Sequence, residues 1–312
     1  MRVVGVSEFG SPDVLREFQV PERHAGPGEV RIRVRAAAVN PTDTALRAGL
    51  YAERLRGYEP PYVPGMDVAG EIDEVGDDVP DEFRVGDRVM AIVVPEGAHG
   101  GYSESIVLPY RSVAPVPAGA DFPAAASLPM NGLTARLALD LLALQPGQVL
   151  GVTGAAGAFG GYVVQLAKAD GLRVIADAAD KDRELVRSLG ADVVVQRGDD
   201  VAQRFREVEP DGVHAVADGA VQNELVLPAV RDGGSIATVR GFTADGERGV
   251  DYRPVFVRDY QLERDKLDRL RQQVEEGEVS LRVARTFPAE RAAEAHRALE
   301  AGGVRGRLVL EF

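Results

Sequence analysis

The chain has 312 residues, of which 45% are hydrophobic and 27% charged, as expected for a globular protein of about two domains. Its 36 basic and 49 acidic side chains give a formal net charge of -13, which repels a phosphate backbone and argues against a nucleic-acid partner. The absence of cysteine excludes disulfides, thiolate catalysis and cysteine-containing zinc sites.

Short apolar runs separated by glycine and proline characterise roughly the first 115 residues. Residues 30–34 alternate apolar and charged side chains, and similar runs follow at 68–75, 88–94 and 105–108. This pattern predicts a compact, mostly antiparallel β domain. A helix is predicted next, over residues 132–144, where four leucines recur at helical spacing.

The most informative stretch is 149–161, an apolar run that breaks into glycines at 154, 157 and 160 before a helical pattern. Such spacing permits a tight turn, close approach of the backbone to a diphosphate and close packing of the following helix. A second apolar run, 172–176, ends at Asp177, about 20 residues beyond the glycines, where a ribose-contacting side chain is expected. We interpret the stretch as a dinucleotide site; the alternative is a strand-helix packing turn without a ligand.

Strands and helices alternate after residue 149, which predicts a doubly wound parallel sheet and an α/β fold. Strands are predicted at 193–195, 213–216 and 235–239, and helices at 201–207, 223–231 and 262–276. Residues 248–259 show no clear period and are predicted to form a mobile loop. A short helix over 288–300 and a strand over 307–310 are predicted to rejoin the first domain. We therefore assign residues 1–120, completed by 278–312, to the β domain and residues 121–277 to the nucleotide-binding domain.

Several motifs follow one another in the order found in a known family. They are Glu8-Phe9-Gly10, Ala37-Ala38-Val39-Asn40-Pro41-Thr42-Asp43, Pro64-Gly65-Met66-Asp67-Val68-Ala69-Gly70, Val85-Gly86-Asp87-Arg88-Val89, Asn131-Gly132-Leu133-Thr134-Ala135, the glycine turn and His296-Arg297-Ala298-Leu299-Glu300. Together they span nearly the whole chain and resemble the medium-chain dehydrogenase/reductase superfamily, most of all its zinc-independent quinone oxidoreductases. The resemblance implies a GroES-like β domain, a Rossmann domain, and NADPH-dependent reduction of quinones or activated alkenes.

A zinc site is not expected, because the residues that would form one are missing. Zinc-dependent members of the superfamily carry Cys where Asn40 stands and a His-Glu pair where Met66 and Asp67 stand. The four histidines of the chain are scattered and form no pair at metal-binding spacing. We therefore predict a metal-free hydride transfer to a conjugated carbonyl, because the charge that develops on such an acceptor is delocalised.

The resemblance places Asn40 and Tyr51 beside the nicotinamide and the substrate, and both side chains can donate a hydrogen bond to a carbonyl oxygen. The alternatives are a helix-capping Asn and an ordinary loop Tyr. Asp43 is interpreted first as a negative charge that favours the N-terminus of the helix beginning at Thr42 to Ala45; the alternative is a side chain that caps this helix. Thr134 matches a family position near the nicotinamide; the alternative is a hydroxyl bonded to the backbone at the start of a helix.

The other predicted coenzyme contacts come from the glycine turn, the strand ends and the C-terminus. They are Gly154, Ala156, Gly157, Ala158, Phe159, Gly160, Lys181, Arg197, Val239, Gly241 and Arg307. Lys181 together with Arg183 can meet the 2′-phosphate of NADPH, and Arg197 can reach the adenosine end; the alternative for Lys181 and Arg183 is a solvated first turn of a helix. Asp177 and Asp180 place negative charge nearby, so NADH remains possible. We predict NADPH as the coenzyme.

No apolar run reaches about 18 residues, and the first residues lack the layout of a signal peptide. We therefore expect no membrane span and a cytoplasmic protein, with a small quinone or enone as substrate. The resemblance implies a homodimer. Two other functions stay open: a nucleotide-binding protein of the same fold with little or no turnover, and a zinc alcohol dehydrogenase with unusual ligands.

Overall fold

The computed structural model describes residues 1–312 and confirms the α/β fold, with a GroES-like β unit and a unit built on a parallel sheet. Fifteen strands, β1 to β15, are in chain order Arg2–Gly5, Arg16–Gln19, Glu29–Ala38, Asp67–Val75, Arg88–Ile92, Ser105–Pro109, Val113–Pro115, Val149–Thr153, Arg173–Ala178, Val193–Gln196, Val213–Asp218, Val230–Thr238, Asp251–Pro254, Val283–Pro288 and Arg307–Glu311. Eight α-helices, α1 to α8, are Pro41–Arg47, Phe122–Ala126, Pro129–Leu142, Ala158–Ala169, Arg183–Ser188, Val201–Val208, Arg264–Glu275 and Ala292–Glu300.

The first compact unit comprises Met1–Met130, Tyr260–Glu275 and Ser280–Phe312. Its main sheet has the order β14-β15-β3-β4-β5-β7, with β6 also paired to β3. β3 pairs with β4 and β6 in antiparallel register, and alternate side chains of β3 such as Val30, Ile32 and Val34 are buried in the core. β15 pairs with β3 as well, so the C-terminal strand rejoins the first unit as predicted.

The second unit comprises Asn131–Asp259 and Glu276–Val279 and carries a six-stranded parallel sheet. Its strand order is β10-β9-β8-β11-β12-β13, so the first strand along the chain, β8, lies in the middle between β9 and β11. The winding direction reverses between β8 and β11, and ligands of such sheets bind at the carboxyl ends of the strands at this point.

The structure differs from the sequence-based predictions at two local elements and in the domain assignment of one helix. Residues 248–259, predicted as a mobile loop, contain β13, which pairs in parallel with β12. Residues 223–231, predicted as a helix, form the 3-10 turn Asn223–Ala229 because Pro228 cannot donate the backbone hydrogen bond that an α-helix needs, and Val230 already begins β12. The helix Arg264–Glu275, which the sequence places in the nucleotide-binding domain, belongs to the first unit.

None of the eight α-helices is both long and apolar enough to cross a bilayer.

Candidate functional site

The glycine turn connects β8 to α4 in the second unit. Gly154 has a φ of 66°, and a Cβ placed on it would lie 2.9 Å from the carbonyl carbon of Gly219. A Cβ on Gly160 would lie 2.4 Å from the carbonyl oxygen of Gly154, so only glycine lets α4 pack this closely on the turn. A Cβ on Gly157 would meet only the carbonyl oxygen of Gly154, at 3.1 Å. Close packing thus requires glycine at two of the three positions, Gly154 and Gly160. At Gly157 the turn is left open to a ligand.

The beginning of α4 fits the diphosphate of a dinucleotide. Gly157 is the N-cap residue and supplies no side-chain cap to the helix. The first-turn amides, those of Ala158, Phe159 and Gly160, have no carbonyl partner within the helix, and the helix dipole favours an anion there. The predicted turn residues, including Ala156, are therefore brought together in one cradle at the carboxyl end of β8.

The ends of β8 and β11 are tied together beside this cradle. The hydroxyl of Thr153 donates to Oδ1 of Asp218 at 2.6 Å, and both side chains are fully buried. Asp218 also accepts a hydrogen bond from the backbone amide of Asn223 at 2.7 Å, and Thr153 accepts one from the amide of Ala220 at 3.1 Å. Sequence reasoning missed this pair, although the signal was present: a polar residue closes each of two neighbouring parallel strands.

Asp177, at the end of β9, turns its carboxylate toward the glycine turn. It is 2% exposed, and Oδ1 accepts a hydrogen bond from the amide of Ala155 at 3.3 Å. Burial raises the pKa of Asp177, whereas backbone amides of the turn and the charge of Arg197 lower it. The carboxylate of Asp177 therefore contacts the glycine turn.

Of the three cations predicted to bind the coenzyme, two stay free on the surface of the second unit and the third, Arg183, is bonded within the protein. Lys181 and Arg197 are exposed, and neither side chain forms an ion pair or a hydrogen bond within the protein. The neighbouring Arg183, by contrast, donates to the carbonyl oxygen of Val194 at 2.9 Å and pairs with Asp180 at 3.2 Å. Of the basic residues that follow β9, Lys181 is thus available to an external anion.

Val239 and Gly241 follow β12, at the same edge of the parallel sheet as the glycine turn. The turn there has φ values of 61° at Arg240 and 71° at Gly241, and the hydroxyl of Thr238 closes it by donating to the carbonyl oxygen of Phe242 at 2.6 Å. Thr134 lies in α3 and is half-buried.

A buried polar cluster brings Asn40 and Arg307 together in the first unit. Asn40, the N-cap residue of α1, is fully buried, and its Nδ2 donates to Oδ2 of Asp67 at 2.8 Å. Nη2 of Arg307 donates to Oδ1 of Asn40 at 2.6 Å and to Oδ2 of Asp67 at 3.0 Å. The amide of Met130 donates to the other oxygen of Asp67 at 2.5 Å. We call Asn40, Asp67 and Arg307 the polar triad.

The charges of the polar triad are balanced internally. Burial raises the pKa of Asp67, and the Arg307 guanidinium together with the Asn40 amide lowers it again. A cation added here would face the positive charge of Arg307 and compete with it for the same carboxylate oxygen. No group of three or more His, Cys, Asp or Glu residues anywhere in the chain is arranged to hold a metal ion. The residues present therefore do not fit a zinc centre.

A second buried network lies next to the polar triad. Asp43 accepts hydrogen bonds from the amides of Asn40 at 2.8 Å and Gly65 at 2.9 Å, so it caps α1, which was the alternative interpretation of this residue. Its Oδ2 also accepts from the hydroxyl of Tyr102 at 3.3 Å, and that hydroxyl lies 3.1 Å from Nε2 of His296. Sequence reasoning missed Tyr102 and His296 as members of this site, because their contact joins residues far apart in the chain.

Burial favours the neutral form at both titratable ends of this network. Burial raises the pKa of Asp43 to about 7, although hydrogen bonds from Gly65 and Asn40 oppose the shift. Burial, and to a lesser extent the charge of Arg47, lowers the pKa of His296 to about 3.

Tyr51 begins the 3-10 turn Ala52–Leu55 that follows α1. Its side chain is half-buried, and the guanidinium of Arg54 lies 5.0 Å from the centre of its ring. The hydroxyl makes no hydrogen bond within the protein, so it is free to donate to an external acceptor.

Comparison with known proteins gives two family matches along the chain. Residues 26–118 match the alcohol dehydrogenase GroES-like domain, and residues 189–310 match the family described as zinc-binding dehydrogenase. The bovine mitochondrial NAD(P)H oxidoreductase RTN4IP1 is 30% identical over 98% of this chain and 87% of its own length. The mouse quinone oxidoreductase is 30% identical over 99% of this chain and 97% of its own. The chain belongs to the quinone oxidoreductase-like family of the medium-chain dehydrogenase/reductase superfamily.

Solved structures of this superfamily share the fold over the full chain. A structure described as an NAD-dependent alcohol dehydrogenase has a TM-score of 0.87 at 31% identity and is covered to 100%, as is this chain. A mycobacterial protein complexed with NADPH has a TM-score of 0.87 at 28% identity, again with 100% of both chains covered. Membership identifies the chain as an NAD(P)H-dependent oxidoreductase, and its glycine turn fits that nucleotide.

Proposed function

We propose that this oxidoreductase is a metal-free, NADPH-dependent reductase of quinones or α,β-unsaturated carbonyls. The observation that carries the proposal is the polar triad, in which the Arg307 guanidinium holds both Asn40 and Asp67. In zinc-dependent members of the superfamily these positions belong to the metal site, where Cys replaces Asn40 and Glu replaces Asp67. An internal ion pair at this place supports chemistry without a Lewis acid.

The role that we propose for each residue follows from its hydrogen bonds. The bound nicotinamide supplies the hydride, and a conjugated acceptor needs only orientation and stabilisation of the negative charge on its oxygen. The free hydroxyl of Tyr51 is suited to donate to that oxygen. The side-chain amide of Asn40 donates inward to Asp67 and, weakly, to the carbonyl of Ala38, so we assign Asn40 to positioning.

The preference for NADPH is proposed from charge. Lys181 and Arg197 are exposed and unpaired, so either can bind a 2′-phosphate without first breaking an internal ion pair. The carboxylate of Asp177 is directed to the glycine turn, where the amide of Ala155 partly offsets its charge. NADH is the alternative, because a buried acid at the end of β9 still repels a phosphate and can bond ribose hydroxyls.

Titration with NADPH and NADH, followed by a panel of quinones, enones and simple ketones, tests the proposal. We expect tighter NADPH binding and turnover of conjugated acceptors only. Tight NADPH binding without turnover of any acceptor would favour a nucleotide-binding protein instead. Metal analysis of protein purified without chelator addresses the zinc alternative, since stoichiometric zinc together with ketone reduction contradicts the proposal.

We also propose that the protein is a cytoplasmic homodimer, from the resemblance and the sequence. Sedimentation equilibrium at micromolar concentration measures the assembly, and a monomer mass would reject it. Microscopy of the tagged native chain measures the location, and an organellar signal would reject a cytoplasmic one.

A further inference from the structure

Aromatic and apolar side chains cluster on the surface of the first unit around the segment that follows α1. The cluster, which we call the aromatic patch, consists of Phe9, Leu50, Tyr51, Tyr58 and Tyr62. Leu50 is 74% exposed, Tyr58 43% and Phe9 36%. These are three of the seven large hydrophobic side chains exposed anywhere in the chain. Exposed apolar side chains scattered singly need no explanation, whereas a contiguous group marks a binding surface.

The aromatic patch is fixed in place by short contacts. The rings of Phe9 and Tyr62 are stacked, with centroids 5.3 Å apart and planes inclined by 12°. Phe9 also lies against Gly49, where a Cβ would come within 3.0 Å of its ring atoms. The hydroxyl of Tyr62 donates to the carbonyl oxygen of Tyr58 at 3.2 Å. The rings of Phe9 and Tyr62 therefore form a preformed aromatic surface, and they lose little side-chain freedom when a ligand binds to them.

The patch and the proposed hydrogen-bond donor lie on one segment of the chain. Phe9 packs on Gly49, and Leu50 and Tyr51 are the next two residues after Gly49. The amide of Gly10, next to Phe9, donates to the carbonyl oxygen of Arg47 at 3.0 Å and so ties the Phe9 segment to the end of α1. A ligand whose carbonyl reaches Tyr51 can thus bring an attached ring system onto the same segment.

We propose that the aromatic patch binds the ring system of a planar acceptor and selects fused-ring quinones over small open-chain enones. This inference rests on the proposed reductase function and narrows its acceptor class. A flat conjugated ring gains from stacking on an aromatic side chain, by an amount that corresponds to roughly threefold to tenfold in affinity. An open-chain enone offers no comparable face and does not gain in this way.

The test compares Phe9→Ala and Phe9→Leu with the wild type, using 1,4-naphthoquinone and but-3-en-2-one at saturating coenzyme. The ratio of the KM for naphthoquinone to the KM for the enone is expected to rise about threefold to tenfold in both variants, because leucine keeps apolar bulk but not the ring. Phe9→Trp should restore the wild-type ratio. Val85→Ala, which removes an apolar side chain that is 66% exposed elsewhere in the first unit, is the matched control.

Equal changes in both KM values, or no change in either, would overturn the proposal for the aromatic patch. Calorimetric titration of naphthoquinone in the presence of oxidised coenzyme decides the same question without turnover. If the wild type reduces neither acceptor, the proposed function fails, and weaker naphthoquinone binding by Phe9→Ala still supports the patch. Equal binding by both proteins overturns it. Thermal unfolding of each variant shows whether a loss of binding merely reflects a loss of folded protein.

Discussion

Arg307 and Asn40 lie 267 residues apart in the chain, and their side chains meet at 2.6 Å in the core of the first unit. The contact joins the first helix to the last strand and, through Asp67, to β4 as well. A buried guanidinium with two acceptors is costly to desolvate, so it stabilises the folded protein only while every partner stays in place. Removal of one partner should therefore lower the free energy of unfolding.

Arg307→Ala is expected to lower the free energy of unfolding by about 3–5 kcal/mol, because it leaves the carboxylate of Asp67 buried without its counter-charge. Urea unfolding followed by circular dichroism measures the change. Arg111→Ala, at an exposed arginine, is the control and should change the free energy by less than about 0.5 kcal/mol. A loss of under 1 kcal/mol for Arg307→Ala would show that the ion pair is not important for stability.

Gly157→Asp is expected to weaken coenzyme binding by several kcal/mol, because it places a bulky negative group where the diphosphate is proposed to bind. The fold should tolerate the change, since a Cβ at Gly157 meets only the carbonyl oxygen of Gly154. Fluorescence titration with the reduced coenzyme measures the affinity. Gly157→Ala is the matched control for the added Cβ, and its affinity should stay closer to the wild type. An unchanged titration for Gly157→Asp would reject the assignment of the turn.

Lys181→Ala is expected to weaken NADPH binding about tenfold while NADH binding changes little, because only NADPH carries the 2′-phosphate. The ratio of the two dissociation constants is the readout. Arg187→Ala, another exposed cation after β9, is the control and should leave the ratio unchanged. Equal effects of Lys181→Ala on both coenzymes would mean that Lys181 contributes only general surface charge.

The buried carboxyl of Asp43 is expected to make folding depend on pH. Its folded-state pKa of about 7 lies above its ordinary value of 3.8, so between these values the folded chain holds a proton that the unfolded chain releases. The stability it contributes is complete below about pH 4 and is lost as the pH rises to about 7, by up to about 4 kcal/mol. Asp43→Asn should abolish this part of the pH dependence in urea unfolding between pH 4 and 8. The prediction would be contradicted if the free energy of unfolding of Asp43→Asn changed with pH in the same way as that of the wild type.

His296 is expected to change the free energy of unfolding with pH in the direction opposite to Asp43, over nearly the same pH range. Its folded-state pKa of about 3 lies below its ordinary value of 6.5, so the unfolded chain binds the proton first as the pH falls. The stability it contributes is present above about pH 6.5 and is lost toward pH 3. The free energy of unfolding of the wild type, plotted against pH, contains the effects of both Asp43 and His296. The quantity to measure is therefore the difference in this free energy between the wild type and His296→Gln. The exposed His24→Gln is the control, and an identical difference curve for both would reject the buried assignment.

The sequence was most informative where the geometry is local. The turn between β8 and α4 and the alternation of strands and helices depend on residues close together in the chain, so spacing alone predicted them. The contact of Tyr102 with His296 joins residues 194 positions apart and leaves no periodic trace. β13 was missed for the same reason, because its hydrogen-bond partner β12, and not its own polar composition, makes it a strand.

The strand that carries Arg307 follows the whole of the second unit along the chain, yet it pairs with β3, which precedes that unit. During synthesis the sheet of the first unit therefore stays incomplete until residues 307–311 have left the ribosome, whereas the second unit is nearly complete once residue 259 has emerged. A truncation before residue 307 would remove Arg307 together with the whole of β15, so it should damage the nascent protein far more than the loss of a few residues from an exposed loop.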